Sequence, residues 1–213
     1  MKQRIIRADA NDGVTPRQRE NREIARAAAR EGIVLLKNDG ALPVKPGRIA
    51  LYGAGASRTV KGGTGSGEVN ERHTVTILEG LELAGYEIAS YGWIRDFETE
   101  CREAEECWRQ ERGAQGAGLM NSMVQPFMPP AGRVITDADI AASACDTAIY
   151  VVARQAGEGA DKKLKNGEFD LSPAETESIL KMAAGYKNSV LVINSGSYMD
   201  IGTLDEAVSA VVW

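Results

Sequence analysis

The chain has 213 residues, of which 43% are hydrophobic: enough for a packed core and too many for a disordered segment. Its net charge of -5, with no basic stripe, argues against nucleic-acid binding, and no apolar run approaches the length of a bilayer span. The opening MKQRIIRADAND lacks the apolar centre of a secretory signal, and Cys101, Cys107 and Cys145 show no CxxC spacing, so reduced thiols in a cytoplasmic protein are expected.

Residues 1–14 read as an N-terminal extension. Thr15-Pro16-Arg17-Gln18 then supplies an N-cap, a proline at the first helical position and a capping-box partner. Ile24, Ala28, Gly32 and Leu36 recur beside Ala25, Ala29 and Ile33, a stripe suited to a core, and carry the helix toward the break at Asn38-Asp39-Gly40. RIALYGAGA (48–56) is a β-type run, followed by the loop SRTVKGGTGSGEVNE. Residues 74–84 read as a helix stopped by Gly85, and residues 86–91 as a second strand. From 95 to 112 the spacing of Phe97, Cys101, Ala104 and Trp108 predicts an amphipathic helix. Residues 113–134 are rich in Gly, Pro and Met and show no period; they are either a mobile surface loop or a loop that covers a site.

The later alternation is regular. Thr136 caps a short helix to Cys145, a strand spans 147–153, and Ser172-Pro173-Ala174-Glu175 opens a helix to about Ala184. SVLVINSG (189–196) and AVSAVVW (207–213) read as the last strands. Strands and helices that alternate without tight hairpins predict an α/β fold, a three-layer α/β/α sandwich with a mostly parallel sheet.

Ligands of such sheets sit at loops beyond the carboxyl ends of the strands. Three loops qualify: QAGEGADKK (155–163), GAGASRTVKGGTGSG (53–67) and the Asn-Ser-Gly ending at 196. The glycine-rich loop is a poor nucleotide site. Arg58 stands where the dinucleotide fingerprint needs a small residue, and there is no P-loop motif. It is therefore a plain turn, or a loop that brings backbone close to a polar ligand. Arg58, Lys61 and Thr64 are candidate substrate contacts there. No cofactor is expected, and with His73 the only histidine a metal site or catalytic triad has little to rest on. Glu158 lies between Gly157 and Gly159. It either pairs with Lys162 or Lys163 or caps a turn, or it is aimed outward as a general acid/base.

Four segments, EGIVLLKNDGALPV (31–44), RIALYGAGA with GGTGSG (62–67), QAGEGADKK with FDLSPAE (169–175), and SVLVINSGSYMDI (189–201), together resemble the α/β sandwich domain of glycoside hydrolase family 3. The resemblance spans nearly all of 20–213 except an insert-like helix and loop at 95–134. It implies a retaining β-glycosidase of β-glucosidase type, with an aspartate nucleophile on a TIM-barrel domain and a glutamate acid/base in the Gly-Glu-Gly segment, here Glu158. Lys162 departs from the family's usual arginine, and Ala156 from its usual serine. Eight βα units need about 250 residues, so the barrel is not within this chain. If Met1 is the natural start, the resemblance implies an inverted-order enzyme with the barrel following Trp213; the other reading is an internal piece of a barrel-first enzyme, and in either case the barrel is partner to this domain and needed for activity. The reading outside that class is a carbohydrate-binding or interaction module using Trp93, Trp108 and Tyr198 as stacking surfaces; a nucleotide-binding α/β domain is a more distant one.

Overall fold

The computed structural model describes residues 13–63, 73–114, 127–155, 162–164 and 167–213. Residues 1–34 and 35–213 form two compact units. The described part of the first is essentially α1 (Pro16–Gly32), which begins with the predicted capping box on Thr15 and Gln18.

The helix stops four residues before Leu36. Ile33 is already extended, and β1 (Leu35–Asn38) pairs antiparallel with β6 (Ala210–Val212), with a bulge between Leu35 and Lys37. The apolar run IVLLK fits either period, and pairing with a distant strand decides it. Lys37 fixes the edge: its ammonium donates to the carbonyls of Asp205 and Val208, and it pairs with Asp39 at 2.9 Å.

The rest of the second unit follows in order: β2 (Arg48–Tyr52), α2 (Ile77–Leu83), β3 (Glu87–Ile88), α3 (Tyr91–Ala114), α4 (Asp137–Ser143), β4 (Thr147–Arg154), α5 (Pro173–Gly185), β5 (Asn188–Ser195), α6 (Leu204–Ala207) and β6. The strand expected at 86–91 shrinks to two residues. The long helix starts at Tyr91 rather than 95, because Trp93 and Phe97 lie on one face of it and both are buried. The last strand is likewise shorter than expected, with α6 occupying 204–207.

The six strands lie in the order β1-β6-β5-β4-β2-β3, all parallel except β1. The chain leaves β2 toward β3 and leaves β4 in the opposite direction, toward β5. Right-handed crossovers then put α2 and α5 on opposite faces, giving three layers. Central β4 is buried along almost its whole length, so its sequence is a continuous apolar run without alternation. On one face Tyr52 meets Trp93 edge-on at 5.6 Å, and Trp93 stacks on Phe97 at 5.6 Å. A buried hydroxyl chain runs from Tyr52 through Tyr186 to Ser143, which satisfies the polar ends of these rings. Among the described residues no helix is long and apolar enough to cross a membrane. Cys101, Cys107 and Cys145 are free thiols.

Gly53 and Gly55, which suggested a ligand loop, serve packing between strands. The Gly55 amide donates to the Val151 carbonyl at 3.0 Å. A Cβ at Gly53 would lie 2.3 Å from that oxygen, and one at Gly55 would lie 2.6 Å from the Val151 side chain. Gly53 also has φ +87. Gly53→Ala is therefore expected to destabilise the chain by at least about 2 kcal/mol through left-handed strain and overpacking. A urea titration checks this; a midpoint equal to that of the parent would contradict it.

Candidate functional site

Neighbouring strands β2 and β4 send their outgoing connections to opposite sides of the sheet. In open α/β sheets the ligand crevice forms at such a reversal, beyond the carboxyl ends of the strands. Two adjoining clefts open there. One runs between Ala54–Lys61 after β2, Ala153–Gln155 at the end of β4, and residues 127–131. The other runs from Val60–Gly63 to Asn194–Ser197 after β5. Arg154, Gln155, Val60 and Lys61 belong to both.

The end of β4 is anchored by a buried ion pair. Arg154 donates to both oxygens of Glu175 at 2.8 and 2.6 Å, and also to the carbonyls of Ala153 and Glu168. Both side chains are nearly inaccessible, at 6% and 3%. Glu175 closes the α5 capping box as well, accepting from the Ser172 amide at 2.8 Å. The predicted capping box thus ties the first turn of α5 to the strand that leads into QAGEGADKK. One residue on, the Gln155 side chain donates to the Gly62 carbonyl at 3.0 Å. On the far side of the segment, Lys162 donates to the Ser195 hydroxyl at 3.0 Å. Desolvation, with Arg154 nearby, pulls the Lys162 ammonium below the usual lysine range.

The glycine-rich loop is held from β5. Asn194 accepts from the Val60 amide at 2.6 Å and donates to the Val60 carbonyl at 3.0 Å, a side-chain imitation of a strand pair. Thr59 bridges the Gly55 carbonyl and the Ile77 amide. The loops after β2, β4 and β5 therefore form one hydrogen-bonded rim.

Among the residues singled out in the sequence, Glu158 and Thr64 lie outside the described residues. Arg58 and Lys61 both line the first cleft. The Arg58 guanidinium forms a fork on Glu98, with bonds of 3.1, 3.2 and 2.7 Å, and Ser57 also donates to that carboxylate at 2.6 Å. Burial works to raise the Glu98 carboxyl, but the Arg58 and Ser57 bonds outweigh it and hold the group below its ordinary range. Lys61 reaches Thr74 at 3.5 Å. Of the three proposed stacking residues, Trp93 is 1% exposed and serves the core. Trp108 is half-buried against Phe127, and Tyr198 is exposed within a ring cluster with Phe169 and Trp213. The Asn-Ser-Gly strand end already marked the loop that holds Asn194, whereas sequence reasoning missed Arg154 and Glu175 as rim residues. A polar side chain closing an otherwise apolar strand, as Arg154 does, is the signal that could have found the first of them.

Residues 127–131, the described end of the aperiodic 113–134 stretch, form one wall of the first cleft. Their stem is fixed. Gly132 has φ +80, and a Cβ there would press on Trp93 and Phe97 at 3.0 Å. Arg133 donates to Asp96 at 2.9 Å and to both oxygens of Asp139 at 2.6 and 2.7 Å. The Arg133 guanidinium holds the Asp139 carboxyl down at about 2, against an ordinary 3.8. A carboxyl depressed on folding stabilises above its unfolded pKa, and that stability is lost as pH falls through the folded value. Acid should therefore weaken the chain between about pH 4 and pH 2 in part through this group. Melting curves across that window should show a smaller acid-induced loss for Asp139→Asn than for the parent; equal losses would exclude the clamp as a source.

Residues 33–213 match the family profile described as the glycosyl hydrolase family 3 C-terminal domain. Beta-glucosidase A of Butyrivibrio fibrisolvens is 29% identical over 89% of this chain and 24% of its own length. A beta-glucosidase of Ruminococcus albus is 30% identical over 83% of the chain and 18% of its own. Among solved structures, beta-glucosidase 3B of Thermotoga neapolitana in complex with alpha-D-glucose superposes with a TM-score of 0.77 at 29% identity, covering 93% of this chain and 27% of that one. The chain thus spans about a quarter or less of the length of these relatives.

Proposed function

The chain belongs to glycosyl hydrolase family 3, as its C-terminal domain, and on that premise we propose that it is the acid/base-bearing sandwich domain of a retaining β-glycosidase of β-glucosidase type. Glu158 is the acid/base. An aspartate on a TIM-barrel domain attacks the anomeric carbon of a terminal β-linked sugar while Glu158 gives its proton to the departing oxygen. The Glu158 carboxylate then takes a proton from water, whose oxygen attacks the same carbon and releases the aspartate. The two carboxyl groups sit roughly 5–5.5 Å apart in such a pair. The negative nucleophile and a drier site raise the pKa of Glu158, so that it enters the first step protonated. Without the barrel the chain turns over no glycoside.

The observation that carries this reading is the anchoring of both stems of the Glu158 segment at the β2/β4 reversal: Arg154 on Glu175 at one side and Lys162 on Ser195 at the other. Rigid stems support a loop that must deliver one carboxylate across a domain boundary. The test is the enzyme from the complete reading frame, compared with its Glu158→Ala variant in the presence of azide. Azide should restore turnover and yield a β-glycosyl azide, because the small anion replaces the base-assisted water. Undiminished kinetics in the variant would remove Glu158 from the mechanism.

A further inference from the structure

The geometry points to an apolar aglycone subsite in the first cleft, walled by Phe127, Met128, Pro129 and Pro130, that takes the aromatic or alkyl leaving group of a β-glycoside. It rests on the acid/base reading of Glu158.

Three observations carry it. The first is place. Those four residues face the ends of β2 and β4, and Gln155, three positions before Glu158, lines the same cleft. A leaving group protonated from that segment departs into the space beside it. The second is chemistry. Four consecutive side chains of the wall carry no hydrogen-bonding group apart from the weakly accepting thioether, whereas the polar lining of the cleft, Arg58, Thr59, Lys61 and Gln155 among it, lies outside that wall. A second pyranose would leave hydroxyls on that side without side-chain partners, whereas an aryl or alkyl group loses nothing by meeting it. Met128, 43% exposed, adds an adaptable surface.

The third is rigidity. Pro129 and Pro130 have fixed φ angles, Phe127 meets Trp108 at 6.0 Å, and Arg133 clamps the stem to Asp96 and Asp139. A wall already in place spends little binding energy on ordering when a ligand arrives.

The chain labelled with [methyl-13C]methionine tests the subsite directly, with the Met128 signal assigned through Met128→Leu. Phenyl and hexyl β-D-glucoside should move that signal saturably, with midpoints at least roughly tenfold below that of cellobiose, the discrimination an apolar pocket gives one or two methylene equivalents. An unmoved Met128 signal at tens of millimolar phenyl glucoside (roughly the affinity that about 0.3 kcal/mol per ring atom gives a phenyl group), or an equal response to cellobiose, would overturn the subsite. In the complete enzyme, Phe127→Ser and Met128→Ser should each lower the phenyl-glucoside to cellobiose ratio of kcat/KM by roughly tenfold. An unchanged ratio rejects the subsite and leaves the glycosidase reading standing. A parent enzyme that cleaves no β-glycoside rejects the glycosidase reading and the leaving-group role of the cleft with it.

Discussion

In the complete enzyme, Glu158→Ala should lower kcat/KM on phenyl β-glucoside by about 10²–10⁴ and lower it far less on 2,4-dinitrophenyl β-glucoside. The difference follows from the leaving group. A phenol has a pKa of about 10, as in tyrosine, so its oxygen must receive a proton as the bond breaks. A dinitrophenolate departs without one, and the first step then needs only the nucleophile. The second step still needs a base, so kcat on the dinitrophenyl substrate should fall even where kcat/KM does not. The pH profile gives an independent check. In the parent, kcat/KM on phenyl glucoside should decline as pH rises through the pKa of Glu158, because the acid form is lost; in the variant that decline should vanish. Equal losses on both leaving groups would mark a structural defect, and no loss on either would assign the acid/base elsewhere.

The sequence carried the layered α/β order and three of the helix starts because both depend on local chemistry. The capping residues Thr15, Thr136 and Ser172 act within one turn of their helices, and β4 advertises its burial by an unbroken apolar run. What local chemistry leaves undetermined is decided by partners far along the chain. Leu35 and Leu36 continue a helical stripe on paper and form an edge strand because β6, some 170 residues away, offers hydrogen bonds there. Gly53 and Gly55 resemble the start of a nucleotide loop; the strand they must approach, β4, is invisible from their own neighbourhood. The site divides in the same way. Glu158 stood out through its flanking glycines and a family resemblance. The Arg154–Glu175 pair, the Asn194 clamp on Val60 and the wall at 127–130 exist only once the sheet is assembled.

Breaking the Arg154–Glu175 pair is expected to have the largest effect on stability. Both groups are desolvated, and each satisfies the other through two bonds. Arg154→Met leaves a buried carboxylate without its cation and should cost about 3–5 kcal/mol. It also removes donors from the Ala153 and Glu168 carbonyls. Arg154→Lys keeps the charge but has no fork to span both oxygens, so its cost should fall between those of the parent and Arg154→Met. Glu175→Leu alone strands the guanidinium and should be similarly damaging. The double variant, Arg154→Met with Glu175→Leu, should recover much of the loss, since an apolar pair of similar volume is often as stable as a buried ion pair. Urea titrations of Arg154→Met, Glu175→Leu, their double variant and the parent form a double-mutant cycle that isolates the coupling. Losses that simply add would show that the two residues contribute independently. In the complete enzyme, the same loosening at the base of the Glu158 segment should lower phenyl-glucoside turnover more than dinitrophenyl-glucoside turnover, even for Arg154→Lys at temperatures where it remains folded. That selectivity separates misplacement of the acid from a general loss of fold.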